Sequence, residues 1–356
     1  MMRRLSRHIG ITVFRAVAVT LLVFVGLDVV TELIDEVGAL QRDYDYLDAV
    51  VYVITKLPST VYEYLPYAVL IGCIYGLGAL AGNSEVTVMR ASGVSLSRIV
   101  YLVMRPVLLF VLVGIAIGET VSPYTDQIAA ATRDNLRKGA SAQDSASGLW
   151  IREGYEFMHF NAVFPGGVLF GVTRYQFDQQ QNLKQASFST RATYNVSSGK
   201  WIEENVSITR FEKNNTVTEK QITRDWVSDL SPDVLTVNIL PPSSLPIPIL
   251  KDHIAFLRQQ GATTGIYELA FWHKLLQPAA TLALVIVAIS FVFGPLREAT
   301  MGFRIFVGVL TGISFKMLQD LLGPFSIVFE LPIFFAVLAP ILLSVAVGAY
   351  LLRRSG

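Results

Sequence analysis

The amino-acid sequence predicts an α-helical membrane protein with six transmembrane helices and an inserted all-β, jelly-roll-like domain between the third and the fourth. Three observations carry that prediction. Only 16% of the 356 residues are charged and 52% are hydrophobic, six apolar stretches are long enough to cross a bilayer, and one long polar interval alternates apolar and polar side chains with a period of two. A soluble globule carries about 25% charged residues, so composition alone points to the membrane.

A spanning helix needs roughly 20 mostly apolar residues, and the stretches at about 11–35, 60–81, 98–121, 270–293, 304–323 and 331–352 meet that test. The opening run Met1-Met2-Arg3-Arg4-Leu5-Ser6-Arg7 is basic like the start of a signal peptide. The apolar stretch behind it is long and lacks a small-residue cleavage site, which predicts an uncleaved first helix. Six spans put both termini on one side, and Lys and Arg near helix ends are retained in the cytoplasm. Arg3, Arg4, Arg7, Arg90, Arg98, Arg297, Arg304, Arg353 and Arg354 all fall on that side, which predicts cytoplasmic termini. The opposite short loops hold Arg42 and Lys56 in one case and no basic residue between Gly323 and Leu331 in the other.

The insert from about Pro123 to Glu268 then lies on the far side. Its strand-like stretches are Gly148 to Glu153, Tyr155 to Phe164, Val168 to Phe177, Lys184 to Tyr194, Lys200 to Glu212 and Val217 to Val227, separated by Gly, Asn and Ser turns. That pattern predicts an antiparallel sandwich. Pro241-Pro242 ends the strand region, and Pro248 to Arg258 reads as an amphipathic helix leading to the fourth span. The expected organisation is transmembrane helices 1 to 3 over residues 1–122 with a short cytoplasmic helix at 83–93, a β domain over 123–245, an amphipathic linker over 246–269, and transmembrane helices 4 to 6 over 270–356. Glycine pairs four apart, Gly72 and Gly76, Gly78 and Gly82, Gly114 and Gly118, and Gly308 and Gly312, let helix backbones approach closely in lipid and read as packing within the bundle.

Much chemistry is absent. The sequence has neither a Gly-x-x-x-x-Gly-Lys-Ser/Thr phosphate loop nor a His-Glu-x-x-His pair. The four histidines, His8, His159, His253 and His273, are scattered, the single Cys73 lacks partners, and a net charge of +1 gives no footprint for nucleic acid. The residue types of a Ser-Lys dyad are present, with Lys274 and Lys316 in or near helices, but nothing specific assembles them. No metal site and no catalytic residue is therefore expected.

Two groups of residues invite a functional reading. In the loop between the second and third spans, Asn83 or Ser84 can cap a short helix, Glu85 suits the positive end of its dipole, and Gly93 can end it. Such a helix would present Glu85, Val86, Met89 and Arg90, either as a plain connection or as a docking site for a soluble protein. Within the spans, Lys316 and Asp320 are four apart and can pair on one helix face. Asp28 and Glu32 repeat the spacing with like charge, so water or a cationic partner is needed beside them. Phe157, Phe160, Phe170 and Phe177 of the insert are candidates for its core or for contact with acyl chains.

The run Ser84-Glu85-Val86-Thr87-Val88-Met89-Arg90-Ala91-Ser92-Gly93 resembles the coupling segment of the LptF/LptG permease family of the lipopolysaccharide exporter. Ser290-Phe291-Val292-Phe293-Gly294-Pro295-Leu296-Arg297, followed by Met301-Gly302, resembles the family's second cytoplasmic loop, and Gly148-Leu149-Trp150 resembles the opening strand of its periplasmic domain. The order of three helices, a jelly roll and three helices is similar over essentially the whole chain.

The resemblance implies a multi-pass protein of a Gram-negative inner membrane, with cytoplasmic termini and a periplasmic β domain. It implies a heterodimer with an LptF-like permease, driven by two LptB-like ATPase subunits, with an LptC-like single-span protein adding a helix. ATP and Mg are then used by the partner ATPase, and this chain binds no cofactor. Lipopolysaccharide would enter laterally between the first helix of one permease and the fifth of the other, then pass through the periplasmic β domains. On this resemblance Ser84, Glu85, Met89 and Arg90 make the ATPase-coupling contact. Arg133 aligns with a basic position of the family; Arg42, Arg137 and Lys138 share the outer rim by topology, and all four are candidate substrate-binding residues for an anionic headgroup. Asp28, Glu32, Lys316 and Asp320 are candidate lateral-gate residues, and Glu32 is a departure, because family members can carry lysine there. A membrane-anchored structural or regulatory binding subunit is the alternative. Lipoprotein-release permeases place their large insert after the first helix, whereas here it follows the third.

Overall fold

The computed structural model describes residues 2–38, 44–138, 149–164, 166–212, 215–228, 230–232, 235, 240–259, 263–296 and 299–355. Its helices are α1 (Met2–Val37), α2 (Tyr46–Gly82), α3 (Glu85–Ala91), α4 (Leu96–Ala116), α5 (Ser122–Lys138), α6 (Ile247–Gln259), α7 (Gly265–Phe293), α8 (Met301–Val328) and α9 (Ile333–Ser355). A π-helical turn, Ile117–Val121, joins α4 to α5, and six strands lie between α5 and α6. Six helices, Ser6–Val37, Tyr46–Gly82, Leu96–Arg133, Gly265–Phe293, Met301–Val328 and Ile333–Arg354, are long and apolar enough to cross a membrane.

The chain divides into two compact units: one of residues 1–30, 57–122 and 246–356, the other of residues 31–56 and 123–245. In the helical unit α2 is the centre. Of its apolar stretch 72% is buried, against 17% for α1 and for α8. Glycines explain how three helices fit around it. A Cβ on Gly72 would stand 2.5 Å from the Cα of Val17 on α1, and one on Gly308 of α8 would stand 2.8 Å from Cδ1 of Ile74. Gly114 and Gly118 receive Leu65 and Tyr62 of α2 in the same way, so these pairs pack the bundle, while Gly82 has open space beside it. Proline also matters here. Pro66 cannot donate to the carbonyl of Tyr62 one turn earlier, and Gln277 Nε2 on α7 supplies that hydrogen bond at 3.0 Å. Cys73 is fully buried in this core.

In the other unit, strands β1 (Leu149–Glu153), β2 (Glu156–Phe164), β3 (Val168–Phe177), β4 (Leu183–Asn195), β5 (Lys200–Phe211) and β6 (Thr216–Trp226) form one antiparallel sheet in chain order. Alternation dictates which face each side chain takes, not which strands pair, and among the described residues the pairing is a meander. One face buries Met158, Phe160, Leu169, Val172, Trp201 and Trp226. The rings of Trp201 and Trp226 stack with centroids 5.7 Å apart. Of the four candidate phenylalanines, Phe160 is core, Phe157 is exposed, and Phe170 and Phe177 are half-buried.

Two residues with left-handed backbone crease the sheet. Gly171 has φ 59° and Asn205 φ 51°, a region open to glycine and tolerated by asparagine. Across Asn205 the buried positions change parity, from Trp201 and Glu203 to Val206 and Ile208. Glu203 therefore enters the buried face, where it accepts hydrogen bonds from Arg174 Nη1 at 3.1 Å, Arg224 Nε at 2.7 Å and Ser189 Oγ at 3.4 Å. Arg174 also pairs with Glu156 and lies 4.7 Å over the Trp226 ring. Two carboxylates and two guanidinium groups thus satisfy one another, with two buried serines, beside the apolar cluster.

Candidate functional site

Between α2 and α4 the chain forms the short helix α3 and packs half of it inward. Val86 and Met89, one turn apart, join the buried core, so both anchor the helix and neither is presented on its outer face, contrary to the expectation from sequence. Glu85, Val88 and Arg90 are left outward-facing or half-buried. Ser84 stands at the N-cap position with left-handed backbone, φ 60°, and makes no side-chain cap, contrary to the expected capping hydroxyl. In that conformation its side chain does not reach the first N–H groups. Gly93, at φ 85°, follows the last turn and donates its N–H to the Arg90 carbonyl. Glu85 has a partner that sequence spacing did not reveal: His8 Nε2 of α1 lies 2.8 Å from Glu85 Oε2.

Beside this segment Arg304, counted from sequence as a cytoplasmic flanking charge, is buried at the start of α8. Its Nε donates to the Leu296 carbonyl and its Nη1 to the Gly78 carbonyl, each at 2.9 Å. The side chain ties the turn after α7 to the end of α2. Arg297 lies outside the described residues.

The four intramembrane charges are not alike. Asp28 accepts from Tyr64 Oη at 2.8 Å and from Thr60 Oγ1 at 3.3 Å, both on α2. Glu32 pairs with Lys56, which the structure places inside α2 rather than in a loop. The like-charged pair expected on α1 is thereby resolved by hydroxyls for one carboxylate and an ammonium for the other. Lys316 lies 3.7 Å from Asp320 as its spacing predicts, and also 3.4 Å from Glu63 of α2. That pair is not packed inside the bundle: the two side chains are 48% and 61% exposed, and only 17% of the apolar stretch of α8 is buried among the described residues.

Of the outer-rim residues, Arg133 is fully described. It pairs with Glu36 of α1, donating from Nη2 to Oε2 at 3.0 Å, and its guanidinium lies 5.0 Å over the Tyr52 ring. Lys56 shares that ring from 5.3 Å, an arrangement in which one aromatic ring serves two cations. Arg42 lies outside the described residues, as do the side chains of Arg137 and Lys138, whose backbone forms the last turn of α5. The helix runs on through the π turn to that point, past the expected end of the third span. Among the described residues no group of three or more His, Cys, Asp and Glu could hold a metal ion.

Comparison with known proteins extends over the same features. A family model described as lipopolysaccharide export system permease LptF/LptG matches residues 7–354. The lipopolysaccharide export system permease protein LptG of Haemophilus influenzae is 32% identical over 355 residues, 99% of each chain. Its namesake in Escherichia coli K12 is 32% identical over 357 residues, 98% of each chain. With the match running from α1 through the β domain to α9, this chain belongs to the LptF/LptG family of lipopolysaccharide export system permeases.

Proposed function

We propose that this protein is the transmembrane permease subunit of an ATP-driven exporter that extracts lipopolysaccharide from the inner membrane and passes it to a periplasmic β-jelly-roll bridge. The observation that carries the reading is the extent of the family match, residues 7–354, which takes in all six spans, α3 and the β domain. The chain lies in a Gram-negative inner membrane with both termini in the cytoplasm and the β domain in the periplasm. Its partners are an LptF-like permease, two LptB-like ATPase subunits and an LptC-like single-span protein. It acts as a transporter subunit, and ATP with Mg belongs to the ATPase.

The residues take the following parts. Glu85 and Arg90, with Ser84 before them, form the ATPase-coupling contact, and Met89 fixes α3 to the core beneath it. Docking at Glu85 competes with His8 for the same carboxylate, so the start of α1 responds to the ATPase. The largely uncovered faces of α1 and α8 support a lateral gate there, with Asp28, Glu32, Lys316 and Asp320 beside it. An anionic headgroup meets Arg133, and with it Arg42, Arg137 and Lys138, by displacing carboxylates such as Glu36 from their cations.

The test is ATP hydrolysis by the copurified complex in lipid discs. Lipopolysaccharide is expected to stimulate hydrolysis, and Glu85→Ala to lower the stimulated rate or the amount of bound ATPase about tenfold, equivalent to ~1.4 kcal/mol. His8→Ala, which frees Glu85 without removing it, should leave ATPase binding intact. If no ATPase copurifies and Glu85→Ala changes nothing, the chain is a membrane-anchored binding subunit instead.

A further inference from the structure

Four helices of the helical unit meet at one polar knot with a backbone origin. The N–H of Ser122 bonds back to the carbonyl of Ile117, as a π turn requires. The next nitrogen in that register belongs to Pro123, which carries no hydrogen. The carbonyl of Gly118 is left for another donor, and Lys274 Nζ of α7, itself buried, supplies it at 3.1 Å. Glu119 Oε1 faces the same ammonium at 3.6 Å, and Tyr62 of α2 lies beneath it, its ring centroid 5.8 Å from Nζ.

The second oxygen of Glu119 goes elsewhere. Oε2 accepts the N–H of Ile247, the first residue of α6, at 2.8 Å. That N–H is among those at a helix start with no intrahelical partner, and a carboxylate there meets the positive end of the helix dipole. One side chain therefore joins the third span to α7 and to the helix that follows the β domain in the chain. Oε1 is buried and accepts no hydrogen bond among the described residues. Lys274 Nζ thus stands 3.1 Å from the Gly118 carbonyl and 3.6 Å from Glu119 Oε1, which places two oxygens of the π turn around one ammonium.

We propose that Glu119 is the transmission residue of the permease: movement imposed on the third span at α3 reaches the start of α6 through its carboxylate. Lys274 sets the position of that carboxylate, and the π turn allows it to travel. The proposal rests on the permease reading above and says which bond carries the stroke toward the β domain.

Two spin-label pairs in the complete complex in lipid discs test it, all at exposed positions. Ser97→Cys with Tyr350→Cys reports the cytoplasmic start of the third span, and Ala255→Cys with Val328→Cys reports α6. In the parent, ATP is expected to shift both distances. Glu119→Met, which fills the space without an acceptor, should keep the first shift, lose the second, and lower lipopolysaccharide transfer per ATP about tenfold, within the usual range for coupled sites. Glu119→Gln, which retains an acceptor for Ile247, should recover the second shift. The double variant Glu119→Met/Lys274→Met removes the unpaired ammonium and should still lack it. An α6 shift that survives Glu119→Met overturns the proposal, as does loss of both shifts together with complex yield, which marks a merely structural knot. A parent complex that moves no lipopolysaccharide on ATP sinks the permease reading itself, independently of any variant.

Discussion

Replacing Glu203 by alanine is expected to unfold the β domain locally. Glu203 is 1% exposed and accepts hydrogen bonds from two arginines and a serine. Without it Arg174 keeps Glu156 as its carboxylate, and Arg224 keeps Ser187, beside a buried cluster that includes Met158, Phe160 and two tryptophans. Breaking a buried ionic group by removing one partner costs about 3–5 kcal/mol, whereas replacing the whole group with apolar side chains is often neutral or better. The check is limited proteolysis of the purified full-length chain. Glu203→Ala should be cleaved between β1 and β6 at protease levels that leave the parent intact, and Glu203→Leu/Glu156→Leu/Arg174→Met/Arg224→Met, which removes the whole ionic group, should regain resistance. Equal resistance of Glu203→Ala and the parent would show that the charges do not hold the sheet together.

The second large effect is expected at the crossing of α1 and α2. A Cβ on Gly72 meets the Cα of Val17 at 2.5 Å and its nitrogen at 2.8 Å. Both are backbone atoms, so no rotamer change can make room, and valine at this position must push the helices apart. Overpacking of this kind costs roughly 1–3 kcal/mol where side chains can yield, and more where they cannot. Gly82→Val provides the comparison, since nothing lies within 4 Å of a Cβ there. Thermal aggregation followed by size-exclusion chromatography should show Gly72→Val melting well below the parent and Gly82→Val close to it. Coincident melting of the two variants would mean that α1 does not depend on this contact.

What could be read from sequence follows from how local each signal is. The six spans and six strands were legible because apolar length and period-two alternation are properties of short windows, and the stretch Pro248 to Arg258 buried Leu250 and Ile254 as an amphipathic helix should. Partners far apart in sequence were not legible. Nothing near Lys274 points to Glu119, 155 positions away by their numbering, and nothing near Glu85 points to His8. Arg304 illustrates a second limit. Its place at a helix start counts equally for a solvated flank and for a buried donor, and only the carbonyls of Gly78 and Leu296 distinguish them. Val86 and Met89 show a third, since a seven-residue helix is too short for its apolar stripe to stand out, and these two inward residues were counted with Glu85 and Arg90 on the outer face.

The stacked indoles of Trp201 and Trp226, with centroids 5.7 Å apart, give the β domain an optical signature of its own. Transition dipoles that close interact, splitting the indole absorption into two bands of opposite circular dichroism. Trp272 lies on α7 and Trp150 on β1, with neither indole stacked on another, so the couplet belongs to one place in the molecule. The folding state of the β domain can therefore be followed without a dye or a tag, in a chain whose far-ultraviolet spectrum is dominated by its helices.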